Sequence, residues 1–333
     1  MHMVEYLPSS KFSTNLSIPM RKTGQLGYYM KKNVRCSHGY FYTLFAVPTM
    51  IYILLFKFIP FAGNIIAFLD YKLLKGIWES EWIGLQHFVR LFQSDIFWNA
   101  FDNTLHLNLL DLLIGFPFTI ILSLALALMR DNLRGKLQTV LYIPYFISWA
   151  ALGGIIVQML SPSIGIVAAI GKLFSIDHSD LPILLGNESS WVAVYVLAGI
   201  WQYAGWGTIV YVNAILGIDK HLYESAQIDG ASVYQQMRYI TLPLILPMVL
   251  VMLLLKISGI LSTNFEQVFA LSNSMVLGIS DVLSTYEYRA GLQSMQFSYA
   301  TAIGLVESVI GVCFVIVSRV LIRKMDVGRN VYD

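Results

Sequence analysis

An all-α membrane protein that crosses the bilayer several times is the fold class this sequence predicts, on three observations. Apolar residues make up 56% of the 333 residues and charged residues only 13%, where a soluble domain carries about a quarter charged. Mean hydropathy is +0.64, which leaves too little polar surface for a water-soluble globule. The apolar residues gather into six runs, each near the ~20 residues needed to span the hydrocarbon. The net charge of +2 is too small to argue for nucleic acid. Cys36 and Cys313 lie near opposite ends of the chain, outside any metal-type spacing, so neither a disulfide framework nor a zinc site is expected. His2, His38, His87, His106, His178 and His221 are scattered, and no pair has a ligand spacing.

Residues 1–38 form a basic arm containing Lys11, Arg21, Lys22, Lys31, Lys32 and Arg35. The first apolar run, Tyr40 to about Phe68, is too long for a signal h-region and lacks a small-residue cleavage site. It reads as a retained span. Pro48 and Pro60 are tolerated there where neighbours satisfy the freed carbonyls. Further spans are expected at Leu105–Met129, Leu137–Leu160, Trp191–Leu216, Leu242–Leu261 and Ala300–Ile322. The expected organisation is therefore the arm, a six-span domain over 39–325 containing a polar loop at 217–243, and a tail at 326–333.

Orientation follows from the cations. The arm, Arg130, Arg134, Lys136, Lys220, Arg238, Arg319, Arg323, Lys324 and Arg329 fall on or near one side. The other side has Lys72, Lys75, Arg90, Lys172 and Arg289, balanced early by Glu79, Glu81, Asp95 and Asp102. The first side is read as cytoplasmic, with both termini and the 217–243 loop on it. On the outer side Ile83, Phe88, Leu91 and Phe92 share a helical face beside Trp78, Trp82 and Trp98. That pattern predicts a helix along the outer interface, serving lipid-surface packing or a ligand.

The polar loop has its own helical pattern. Asp219 can cap a helix whose apolar side is Leu222, Tyr223, Ala226 and Ile228. Asp229-Gly230 is a turn dipeptide. Ser232-Val-Tyr-Gln235 has the spacing of a capping box, so a second helix starts there. Tyr234, Met237 and Ile240 line one side of it, and Pro243 breaks the ladder as the chain re-enters the membrane. Two short helices with a glycine corner suit insertion into a partner's groove or a resting place on the inner headgroups.

The loop resembles the EAA loop of permease subunits in binding-protein-dependent ABC importers. The motif is Glu224-Ser225-Ala226, then Gly230, then Ile240-Thr241-Leu242-Pro243, with every spacing matched and Ser225 standing where the family has alanine. Ile83-Gly-Leu-Gln-His-Phe88 with Asn103-Thr104 is similar to a pattern before the second span of sugar permeases, His87 replacing the usual asparagine. Asn264–Leu271, Ser284–Leu292 and Phe297–Gly304 are similar to the polysaccharide-type branch, and the Gly-Gly-Pro common after the fifth span elsewhere is absent.

The resemblance implies a type I importer permease fold and an assembly of two related permeases, two ATPase subunits and an extracytoplasmic solute-binding protein. It implies no cofactor in this chain, since ATP and Mg would belong to the ATPase subunits. It implies a docking contact made by Tyr223, Glu224, Ala226, Asp229 and Gly230, and a sugar path on the fourth and fifth spans. There Gln202, Tyr203 and Trp206 fall at i, i+1 and i+4, and Lys256 and Asn264 supply charge and amide. Pyranose rings stack on aromatic faces and bond amides, so this composition suits a glycan. Lys256 and Glu307 lie at ~9 and ~10 Å below the outer ends of their spans at ~1.5 Å rise per residue. They can therefore pair to fix packing, or Lys256 can meet an acidic sugar.

Three other classes compete. A permease of the same class for another solute fits the same loop. A secondary transporter would need inverted repeats and midplane carboxylates, and no repeat is seen. A membrane-embedded transferase would need convergent His, Asp or Glu residues near one interface. No G-x-x-x-x-G-K-[ST] loop exists for nucleotide.

Overall fold

A computed structural model describes residues 42–324 except 176 and 178–180. The basic arm 1–38 and the tail 326–333 lie outside the described residues. The chain divides into two compact units, Met1–Gly63 and Asn64–Asp333. In the first, helix α1 (Tyr42–Phe68) begins, and within it the rings of Tyr52 and Phe56 tilt together at 5.0 Å.

The second unit opens with a small antiparallel hairpin, β1 (Leu69–Asp70) on β2 (Glu81–Trp82), followed by helix α2 (Gln86–Phe92). The predicted outer helix is thus shorter than its apolar face suggested, and Leu91 is its buried anchor. Helix α3 (Asp95–Ala127) starts at Ser94, whose hydroxyl accepts from the Phe97 N–H, and contains a π-turn at Asp111–Gly115. Then come α4 (Asp131–Phe146), α5 (Trp149–Met159), α6 (Ile166–Leu173) and the 29-residue α7 (Glu188–Leu216). The loop helix α8 (Lys220–Ile228) leads to α9 (Val233–Ser258). Short helices α10 (Phe265–Leu271), α11 (Leu277–Ser280) and α12 (Leu283–Tyr288) precede α13 (Phe297–Lys324).

Among the described residues, four helices are long and apolar enough to cross a membrane: α1, α3, α9 and α13. The predicted third span is not straight. It is the pair α4 and α5, bent by 95° at residues 147–148. Pro144 cannot donate to the helical ladder, Ile147 and Ser148 are extended, and Ser148 caps the new helix by accepting from the Ala151 N–H. Counting that pair as one span gives five. The predicted fourth span, α7, is long enough, but its Gly, Gln, Ser and aromatic residues dilute its apolar character. The predicted count of six is therefore not reached by length and apolar composition alone. Instead α7 buries Trp191, Tyr195, Gln202, Ala204, Tyr211 and others, and α3, α4, α9 and α10 pack against it.

Two clusters of buried side chains hold the second unit together. One joins Leu91 and Phe97 to Leu283, Tyr286, Ala300 and Ile303. The other joins Leu107, Trp149, Trp191, Val268 and Leu271. Between them runs a backbone clamp from α3. The Asn103 amide donates to the carbonyls of Gly278 (2.8 Å) and Asp281 (2.9 Å), and the Leu283 N–H donates to the Thr104 hydroxyl (2.9 Å). The Asn-Thr pair thus satisfies the polar backbone of the irregular stretch around α11, in a region where an unpaired group is expensive. Burial pushes the Asp281 carboxyl up from its ordinary value, while Thr285 and Arg289 pull it back.

The tightest approach in the bundle is at Gly205 of α7. A Cβ there would overlap the Leu141 carbonyl of α4, so the two helices meet at a contact only glycine permits. Gly205→Ala is expected to lower the thermal midpoint of the detergent-solubilised protein, at an overpacking cost of about 1–3 kcal/mol. Gly154→Ala, where a Cβ meets nothing within 4 Å, is expected to leave the midpoint unchanged.

Candidate functional site

The polar loop folds as its local signals dictate. The Asp219 carboxylate accepts from the His221 N–H at 3.0 Å and caps α8. Gly230 takes φ +78, which an L side chain rarely adopts. Ser232 and Gln235 form a full capping box. The Gln235 N–H donates to the Ser232 hydroxyl (3.3 Å), and the Ser232 N–H donates to the Gln235 side-chain oxygen (2.7 Å).

The residues predicted to dock divide into two faces. Tyr223 and Ala226 are half-buried and turn toward the chain itself, and the Tyr223 hydroxyl bonds the Thr241 hydroxyl at 2.9 Å. Glu224, Asp229 and Gly230 are exposed, with Glu224 bonded to His221 at 3.1 Å. Ile228 keeps 87% of its surface exposed, and Tyr234 keeps 68%. Among the described residues, nothing covers this apolar knob.

A groove of about 560 Å³ opens between α3, α7 and α9, and Tyr203, Trp206, Asp111, Thr119, Leu255 and Lys256 contribute to its walls. Trp206 stacks on Tyr145 with ring centres 4.4 Å apart and planes within 3°. Phe146 meets Trp206 edge-on at 6.1 Å, and Tyr145 meets Tyr203 edge-on at 6.0 Å. The break between α4 and α5 therefore delivers aromatic side chains to the shelf that α7 began. The Tyr203 hydroxyl accepts from the Trp149 indole (2.9 Å) and from the Asn264 amide. With both acceptor positions filled, that hydroxyl can offer only its proton.

The structure brings together Tyr203, Trp206 and Lys256 along the groove, and Asn264 reaches it through Tyr203 while capping α10. It does not bring Gln202 there. Gln202 is buried, and its amide donates to the Ile147 carbonyl at 2.7 Å. Its spacing to Tyr203 and Trp206 allowed a shared face, but Gln202 points instead at the broken span. The expected Lys256–Glu307 pair is also replaced: Lys256 bonds Asp111, and the charge beside Glu307 is Glu287. Equal depth does not fix the direction in which each helix points its side chain.

Asp111, Tyr145 and Phe146 were missed in the sequence. A lone carboxylate within an apolar run was the available signal for Asp111, and Pro144 marked the break that places the two aromatics. Among the described residues no group of three or more His, Cys, Asp or Glu is placed to hold a metal ion.

Comparison with known proteins accords with this architecture. The family model described as "Binding-protein-dependent transport system inner membrane component" matches residues 26–327. The chain is 40% identical over 282 residues to the polygalacturonan/rhamnogalacturonan transport system permease protein YteP of Bacillus subtilis (strain 168), covering 84% of this chain and 87% of that one. Among solved structures, it is similar to a chain of a bacterial alginate ABC transporter in complex with an alginate pentasaccharide-bound periplasmic protein. There the TM-score is 0.77 and identity 35%, covering 87% of this chain and 96% of that one. A second structure, of a bacterial ABC transporter involved in the import of the acidic polysaccharide alginate, gives a TM-score of 0.79 at 35% identity, covering 90% and 99%.

The position of Gln202 separates a packing role from a cargo role. Gln202→Leu leaves the Ile147 carbonyl without its partner and is expected to cost about 1 kcal/mol in thermal unfolding in detergent. It is expected to leave the apparent KM for cargo in reconstituted vesicles unchanged, whereas Trp206→Ala raises it.

Proposed function

This chain belongs to the binding-protein-dependent transport system inner membrane components, and on that premise we propose that its cargo is an oligosaccharide bearing uronic acids. The chain is a permease subunit of an ATP-driven importer, not an enzyme. The observation that carries the cargo reading is Trp206, backed by the stacked ring of Tyr145, beside Tyr203 and Lys256 in one open groove. Flat rings stack on pyranose faces, the Tyr203 proton suits a sugar oxygen, and an ammonium suits a carboxylate. The polymers named for the relatives, polygalacturonan and alginate, are both polyuronates.

In this reading the chain lies in the bacterial inner membrane with both termini cytoplasmic. It works beside a second related permease, two ATPase subunits and an extracytoplasmic binding protein that delivers the cargo. ATP and Mg are bound by the ATPase subunits. The exposed face of the loop, with Glu224, Asp229, Gly230 and Ile228, docks into an ATPase subunit, while Tyr223 and Ala226 hold that face to the permease. A cargo bound equally well in both orientations of the groove would not be driven, so the site must weaken as the bundle turns.

Two measurements test this. The assembled importer in proteoliposomes is expected to take up trigalacturonate in an ATP-dependent manner and to leave maltotriose outside; uptake of maltotriose alone would overturn the acidic-cargo reading. Ile228→Asp is expected to lower co-purification of the ATPase subunits by about tenfold, since burying such a side chain is worth about 1.5–3 kcal/mol. Unchanged co-purification would place docking elsewhere.

A further inference from the structure

Two opposite charges on different helices meet in the groove, and the chain builds a seat for one of them. Asp111 opens the π-turn Asp111–Gly115 of α3, and such turns inside long helices recur at functional positions. Gly115 leaves room for its carboxylate, because a Cβ there would overlap the Asp111 Oδ1 atom. From the last turn of α9, Lys256 donates to Asp111 Oδ2. The pair is not sealed in. The side chains of Lys256 and Asp111 keep 43% and 39% of their exposure. Lys256 also borders a second recess of about 220 Å³ with Asn108 and Ser262. Lys256 is therefore open to a third group on two sides, and Asp111 on one.

Resting on the acidic-cargo reading above, we propose that Asp111 is an internal counter-ion that stands in for the cargo's carboxylate. It holds Lys256 while the groove is empty and yields it when a uronate arrives. Each alternative arrangement fails on physical grounds. An unpaired ammonium inside a span is strongly unfavourable, so Lys256 alone would destabilise the empty groove and grip an acidic cargo too firmly to release it. A sealed pair would leave Lys256 of no use to any anion. Exchange of one carboxylate for another keeps the ammonium paired throughout, so binding and release are both near balance. A neutral sugar has nothing to exchange and cannot open the pair, which makes Asp111 a specificity-determining residue through competition rather than contact.

The test uses the complete importer, with its binding protein, partner permease and ATPase subunits, in proteoliposomes with trigalacturonate as the probe. Asp111→Asn removes the competitor and is expected to lower the apparent KM about tenfold while lowering the maximal rate by a similar factor, because release slows. The paired variant Asp111→Asn with Lys256→Gln keeps a hydrogen-bonding bridge between α3 and α9 but no charge. It is expected to assemble and to hydrolyse ATP in response to loaded binding protein as the parent does, yet to lose at least about tenfold in uptake. The proposal is overturned if the paired variant imports trigalacturonate within about twofold of the parent, or if Asp111→Asn lowers the maximal rate with KM unchanged. Those results would leave the acidic-cargo reading standing. Failure of the parent importer to take up trigalacturonate would overturn that reading, and this proposal with it.

Discussion

The carbonyl of Ile147 lies at the break between α4 and α5, and a side chain of another helix supplies its partner. At membrane depth an open backbone group cannot turn to water, so a break in a span survives only where protein closes it. Here the closure comes from the Gln202 amide on α7. That bond ties α7 to the break, next to the stacking of Trp206 on Tyr145. Tyr203 and Trp206, one and four residues on from Gln202, border the groove. The close contact at Gly205 with Leu141 holds the same helix against α4 one turn below Gln202. The closure of the broken helix and the aromatic contacts beside the groove thus share one stretch of α7.

A second constraint acts on charge. Lys256 and Asp111 come from largely apolar helices, and neither would be stable there alone. Their partial exposure distinguishes them from Arg289 and Asp281, where the Asp281 carboxylate is buried and fixed by Thr285 as well. That second pair shows what an ion pair kept for structure looks like in this chain: it sits among hydrogen bonds and one partner is enclosed. The groove pair has the opposite character, which is the reason to assign it work beyond packing.

The local devices were legible in the sequence and the azimuths were not. Asp219 as a cap, Gly230 as the corner and Ser232–Gln235 as a capping box all depend on residues within one or two turns, and each is present with the expected bonds. The helices themselves follow from apolar runs. The bend of the third span left a mark in Pro144, but proline inside a span also occurs in helices that continue, such as α9 with Pro247. Only the tertiary partner Gln202 decides between a kink and a break. In the same way Lys256 and Glu307 were matched in depth, while their pairing depended on the rotation of α9 against α3 and α13. Sequence spacing fixes which residues share a face of one helix, but not which neighbour that face meets.

The two halves of the candidate machinery are joined by one element. Helix α9 begins in the polar loop, where the Thr241 hydroxyl is hydrogen-bonded to the hydroxyl of Tyr223 from α8, and it ends at the groove with Lys256. Thr241 and Lys256 are fifteen residues apart, about 22 Å along a helix. The intervening helix starts at a π-turn, Met237–Thr241, and contains Pro243 and Pro247, so its ladder is weakest at the loop end and regular beyond it. A displacement of α8 would therefore be taken up by bending near Thr241 and Pro247, and the stiff remainder would carry Lys256 with it. Because Asp111 is seated in α3 by its own π-turn, such a movement would alter the distance between the two charges. The polar loop and the ion pair that the spacing of residues did not reveal are joined by this one helix.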